Sequence, residues 1–231
     1  MILEWLRSKR CKWDSRVTEA LAGGGYVELL QWAMREGCRV TPRAVEMAAM
    51  RGDLLIVKML LETRKLQDIY HPSSTDLYGN DVQPQYDACE HAAMFVENID
   101  VLVYLVDHEK MVFDEWAGFA AALAGNMKAL VFLSQRGLQK SPVTCRAAAR
   151  CGNIALLEWL DEEGWVINED CLVEAAGRGE LAVLRWLKDK SIKHPMAFPR
   201  TRNGIQELQG NISNAHGKVH EWLKEIMEEL T

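Results

Sequence analysis

The sequence predicts an all-α protein, an α-solenoid of stacked antiparallel helix hairpins, and three observations predict it. Large residues close successive apolar clusters at Trp5, Trp32, Met59, Tyr104, Phe132, Trp159 and Trp186, spaced 27, 27, 45, 28, 27 and 27 residues apart. Small residues precede most clusters, as in Ala48-Ala49, Ala92-Ala93, Ala120-Ala121-Ala122, Ala147-Ala148-Ala149 and Ala175-Ala176. Asp14, Thr41, Asp114, Ser141 and Asn168 each stand 18 residues before a closing residue. Self-similarity at a fixed period marks a repeat architecture, each period being one supersecondary unit.

The unit reads element by element. Its first residue is a good N-cap, able to accept from the exposed amides of a first helical turn. Pro42 and Pro142 follow at the first helical position, where a missing N–H costs nothing. The alanines favour the helix and let two backbones approach closely. A glycine then marks a turn, with an aliphatic two residues on: Gly25 and Val27, Gly52 and Leu54, Gly125 and Met127, Gly152 and Ile154, Gly179 and Leu181. The second helix carries one apolar stripe, as in Ile56, Val57, Met59, Leu60 and in Leu156, Leu157, Trp159, Leu160. Gly37, Gly137 and Gly164 suit left-handed C-caps. A hairpin this small cannot bury its apolar face alone, so neighbours must stack.

Two stretches interrupt the period. The 45-residue gap holds one period and 18 further residues, expected as a loop insertion at about 63–84 with the turn formers His71-Pro72-Ser73-Ser74-Thr75 and Tyr78-Gly79-Asn80-Asp81. Tyr70, Tyr78 and Tyr86 are its natural contact residues. The repeat array therefore covers 1–194, and 195–231 reads as an irregular linker to Gly210 followed by a C-terminal capping helix with Val219, Trp222, Leu223, Ile226, Met227 and Leu230 on one face. The chain opens at a closing-type helix, Ile2 to Lys9, which suggests a piece of a longer array or an end covered by something else.

Composition narrows the function. Of 231 residues, 48% are hydrophobic and 26% charged, as in ordinary folded proteins, and the net charge of −6 gives no general attraction to phosphate backbones or anionic membranes. Nucleic acid is not the expected partner. The longest nearly apolar stretch, Ala117 to Met127, is far shorter than the ~20 residues of a bilayer span, and Glu4 within the first apolar run disfavours a secretory signal. A cytoplasmic chain is expected, with the nucleus as the alternative. The six cysteines fall largely at helix positions for small apolar residues and read as buried thiols. There is no phosphate-cradling glycine loop, nucleophile elbow or zinc-protease motif. His216 and His220 lie four apart, but without two further ligands they make no zinc site. No catalytic residue, metal or cofactor is expected.

The stretch Thr41-Pro42 … Met47-Ala48-Ala49-Met50-Arg51-Gly52-Asp53-Leu54 … Val57-Lys58-Met59-Leu60-Leu61-Glu62 resembles an ankyrin repeat, and Ala147 to Leu160 and Ala175 to Leu187 do so almost as well. The resemblance extends over roughly Ile2 to Lys193. The family period is about 33 residues; here it is 27, without the residues that would form the projecting β-hairpin, and Thr-Pro lies two residues further from the alanines. The chain thus looks like a divergent, hairpin-poor ankyrin array. That resemblance implies a non-enzyme that binds a protein on its concave helix face.

The outward row of each first helix should lie 16, 13 and 9 residues before the closing residue: Arg16, Glu19, Gly23; Arg43, Glu46, Met50; Ala88, His91, Phe95; Trp116, Phe119, Leu123; Val143, Arg146, Arg150; Asp170, Val173, Gly177. Phe95, Trp116, Phe119 and Leu123 replace charges there, flanked by Arg43 and Glu46 on one side and Arg146 and Arg150 on the other, with His91 in the same row as Phe95 as a further candidate contact. An apolar centre with a charged rim is how interaction surfaces are built. The expected function is a non-catalytic scaffold or adaptor gripping a protein partner on this face, with Tyr70 and Tyr78 of the loop as further contacts. The alternative expectation is a structural subunit held permanently in a larger multiprotein assembly.

Overall fold

Helices begin where capping side chains stand. Asp14 and Asp114 accept from the backbone N–H of Arg16 and Trp116, each at 2.9 Å, Asn168 from that of Asp170 at 3.2 Å and Ser141 from that of Val143 at 3.4 Å. Thr41 departs from the pattern. It makes no side-chain cap bond, and its hydroxyl donates instead to Glu19 at 2.9 Å, while Pro42 opens the helix behind it.

The computed structural model describes residues 14–70, 84–95, 97, 99–194, 197–199, 201–211 and 217–229. The helix Ile2 to Lys9, Cys11, Tyr78 and His216 of the sequence reading lie outside these residues. Among the described residues all regular structure is helical, with no strand. None of the helices is long and apolar enough to cross a membrane. The chain divides into two compact units, Met1–Phe113 and Asp114–Thr231.

The first unit holds α1 (Ser15–Gly24), α2 (Val27–Arg35), α3 (Pro42–Met50), α4 (Leu54–Tyr70), α5 (Pro84–Ala93) and α6 (Asp100–Val103), the last continued by a π-helical turn over Tyr104–His108. In it α1, α3 and α5 pack in series, and α2, α4 and α6 pack on their sequence neighbours. The second unit holds α7 (Glu115–Leu123), α8 (Met127–Gln135), α9 (Pro142–Arg150), α10 (Ile154–Glu162), α11 (Glu169–Arg178), α12 (Leu181–Lys190), α13 (Arg202–Asn211) and α14 (Gly217–Glu229). There α7, α9 and α11 pack in series, α8, α10 and α12 pack on them, and α13 joins α11 to α14.

The alanines make these series possible. Ala48, Ala49, Ala92, Ala93, Ala121, Ala122, Ala147, Ala148, Ala175 and Ala176 are at most 1% exposed. In the second unit the approach is closer than alanine would allow at one point: a Cβ on Gly118 would stand 2.8 Å from Thr144 Oγ1 and 2.9 Å from a Leu138 methyl.

Each turn closes in the same way. The N–H of the residue after the turn glycine donates to the carbonyl five residues back: Tyr26 to Leu21, Asp53 to Ala48, Asn126 to Ala121, Asn153 to Ala148 and Glu180 to Ala175, at 2.8–3.1 Å. This closure needs the glycine at positive φ, 70° at Gly125 and Gly152. Asp53, Asn126 and Asn153 then cap the following helix, accepting from the N–H of Ile56, Ala129 and Leu156 at 3.0–3.1 Å.

The 28-residue spacing between Tyr104 and Phe132 also has a structural cause. Where the second helix ends at Gly37, Gly137 and Gly164, the closing bond spans five residues: Cys38 to Ala33, Leu138 to Leu133, Trp165 to Leu160. At α6 it spans six, Met111 to Leu105. The π-helical turn absorbs the extra residue, and Lys110, at φ 55°, occupies the left-handed position that glycine holds elsewhere.

Three sequence expectations need correction. The insertion does not begin at Thr63, because α4 runs to Tyr70; residues 62–70 contain no glycine or proline, and Leu66, Ile69 and Tyr70 keep a helical spacing. Pro84 likewise opens α5, leaving 71–83 of the expected loop outside the described residues. The linker read as irregular carries α13, whose start is capped by Thr201 accepting from Gly204 N–H at 3.3 Å and whose Ile205 and Leu208 are buried. As expected, Val219, Trp222, Leu223 and Ile226 of α14 are buried, with Phe198 edge-on to Trp222 at 5.9 Å.

A left-handed lysine costs roughly 1–2 kcal/mol, and glycine's extra chain entropy returns part of that. Lys110→Gly should therefore raise the unfolding free energy by about 0.5–1 kcal/mol in denaturant melts; a loss of stability would show that the lysine side chain, not the backbone, shapes this end of α6.

Candidate functional site

The outward rows follow from the helix period once the alanines face inward. In the second unit α7, α9 and α11 run side by side with like ends together. The Cys151 thiol at the end of α9 lies 3.3 Å from the Leu123 carbonyl at the end of α7. A Cβ on Gly152 would likewise stand 2.5 Å from the Glu180 carboxylate beyond α11. On this face Trp116 is 45% exposed and Val173 53%. Phe119 and Leu123 are half-buried, Phe119 edge-on to Trp116 with ring centroids 5.5 Å apart. Arg146 and Arg150 are also half-buried, and Arg146 Nε lies 3.9 Å from Glu174 of α11. Trp116, Phe119, Leu123, Arg146 and Arg150 thus share one face of this unit.

In the first unit the row on α3 has exposed Arg43, half-buried Glu46 and Met50 at 43% exposure. On α5 the expected row is one residue late. Ala88 is buried and His91 half-buried, and the Phe95 ring lies against Gly52 at the α3–α4 turn, so close that a Cβ there would clash with it. The residue that presents apolar surface is Met94, 40% exposed. The cause is a longer turn between α5 and α6, which displaces α5 by one residue against the closing residue Tyr104. Aligning Ala92-Ala93 on Ala48-Ala49 puts Met94 opposite Met50, a signal present in the sequence. Tyr70 is the last residue of α4, and Tyr78 lies outside the described residues.

The largest electrostatic feature of the second unit was missed by the sequence reading. Asp161, 3% exposed near the end of α10, lies 3.0 Å from Lys190 Nζ, 2.5 Å from Lys193 Nζ and 2.7 Å from His194 Nε2. Burial alone would raise its carboxyl, but hydrogen bonds from Lys193, His194 and Lys190 outweigh burial and hold it well below the usual carboxylate range. These contacts fasten the end of α10 to the end of α12.

Other reactive groups are quiet. Cys38, Cys89, Cys145 and Cys171 are buried. Burial pushes the Cys145 thiol up, and that of Cys171 to about 11, so neither supplies a thiolate. Cys151 is exposed. In the first unit burial, then the hydrogen bond to Glu109 at 2.7 Å, raises the Tyr104 phenol to about 12. Among the described residues no three His, Cys, Asp or Glu side chains gather as metal ligands.

No family model and no curated protein matches the chain. The reading of this face therefore rests on its own geometry and chemistry.

Because the folded carboxyl of Asp161 titrates below its unfolded value of about 3.9, its contribution is complete above that pH and is lost as pH falls through it. Asp161→Asn should cost about 2 kcal/mol at pH 7, and the gap to wild type should narrow as denaturant melts are taken below about pH 4. A gap that stays constant down to pH 2 would contradict the ionic role.

Proposed function

We propose that the chain is a divergent ankyrin-like α-solenoid that acts without catalysis, as a scaffold or adaptor holding a protein partner on the outward face of its first helices. The stacking is supported by the five identical turn closures and by the serial packing of α7, α9 and α11.

One observation carries the binding reading. Trp116 and Val173 are large apolar side chains left about half exposed on the same face, beside the Arg146–Glu174 pair and Arg150. Burying them against a partner would be favourable by about 25 cal/mol per Å² of apolar surface removed from water. Charged neighbours around an apolar centre orient a protein rather than a lipid surface. Leu55 at 62% and Ile192 at 88% are single exposed apolar residues, whereas Met50 and Met94 of the first unit, at 43% and 40%, stand at matching positions of α3 and α5.

Affinity capture from native extract of the source organism tests this, comparing wild type with Trp116→Ala plus Val173→Ser. The double variant should lose the partners that wild type retains, with an unfolding free energy lowered by no more than about 2 kcal/mol, because about half of each side chain is already in water. Unchanged capture would overturn the assignment of the face, and a large loss of stability would make the two residues core.

A further inference from the structure

The charges at one end of this face define the partner more closely. Arg150 stands at the position of α9 that corresponds to Leu123 of α7, and Arg178 ends α11. Helices α9 and α11 pack side by side, and the Glu180 carboxylate just past the end of α11 sits over Gly152 just past the end of α9. Arg146, by contrast, has its charge answered by Glu174.

Among the described residues neither Arg150 nor Arg178 makes an ion pair, and Glu180 offsets only one of the two charges. The end of the face next to Leu123 is therefore net positive, although the whole chain carries −6. The floor there is open: a Cβ on Gly177 would meet nothing within 4 Å. Apolar ground at Trp116 thus leads to a shallow, cationic end.

We infer that the α7–α9–α11 face takes an acidic, apolar protein segment, with an apolar side chain seated against Trp116 and carboxylates meeting Arg150 and Arg178. This rests on the binding reading above and adds the partner's chemistry. Guanidinium groups suit carboxylates because their planar donors match both oxygens. Placed at the rim, they select and steer the partner, and their effect weakens as salt screens it.

The probe is the peptide most enriched when a random peptide display library is selected on the immobilised full chain, then labelled and followed by fluorescence anisotropy. Enriched sequences should combine Asp or Glu with large apolar residues. Arg150→Glu with Arg178→Glu should weaken the probe at least about tenfold. Gly177→Gln, which adds bulk in open space at a helical position and so keeps the fold, should weaken it too.

Trp116→Ala should also weaken it. Probes that depend on Trp116 but show no acidic bias, or ignore the charge reversal, would overturn this inference and leave the protein-binding reading standing. Probes indifferent to Trp116 would overturn both. An inability to enrich any sequence over a Gly/Ser control counts against the acidic segment. So does a single-stranded oligonucleotide that binds more tightly than the peptide and is lost on charge reversal, since the arginines would then be reading phosphate.

Discussion

A single hydrogen bond organises the repeat: the N–H that follows each turn glycine reaches back five residues, in four of the five turns to an alanine. It fixes where the first helix stops and where the second starts. The glycine is required by its positive φ, and at some turns a side chain from the next repeat also occupies the space a Cβ would take. Phe95 does this at Gly52 and Glu180 at Gly152. The alanine that accepts the bond also lies in the tight contact between neighbouring first helices. The same few residues therefore set the local turn and the distance between repeats, so the period can change little without disturbing both.

Where the period does change, the structure shows what gives way. One extra residue after Tyr104 is taken up by a π-helical turn, and the left-handed corner falls to Lys110. A second departure is chemical. Two residues past the closing tryptophan of its repeat, where Met34, Leu61 and Val106 stand in others, Asp161 places a carboxylate inside the second unit. It is tolerated because Lys190, Lys193 and His194 reach it from the next repeat. Burial of one charge without such partners would be expensive; with them it becomes a fastening between α10 and α12.

The parts legible in the sequence were the local ones. Glycine corners, N-caps and alanine helices are decided within a few residues, and only Thr41 of the five caps behaved differently, its hydroxyl donating to Glu19 without capping the helix. What depended on distant or length-sensitive features was harder to see. The α5 register turned on the length of one turn, so Met94 and not Phe95 faces outward. The partners of Asp161 lie 29 to 33 residues away and could not be inferred from spacing. Helix α4 ran past Thr63 because residues 62–70 hold no glycine or proline to break it, and Leu66, Ile69 and Tyr70 continue a helical spacing. The apolar centre at Trp116, Phe119 and Leu123 was legible because it breaks a repeated charge pattern. Its cationic end was legible only in part: Arg150 stood in the row, while Arg178, the last residue of α11, lay outside it.

A face of this kind follows from the repeat itself. Inward positions are committed to alanine by close packing, which leaves the outward row of each first helix unconstrained by the fold. Substitutions such as Trp116 or Val173 therefore cost the repeat little, and surface chemistry varies while the scaffold stays constant. That separation holds only if the turn closures are as stable as the helices they join. Amide hydrogen exchange at Tyr26, Asp53, Asn126, Asn153 and Glu180 measures this directly. The account predicts that these five N–H groups are protected to a similar degree as the interior amides of the helices beside them. Exchange at the rate of an unstructured chain at these five, with the helices still protected, would contradict it.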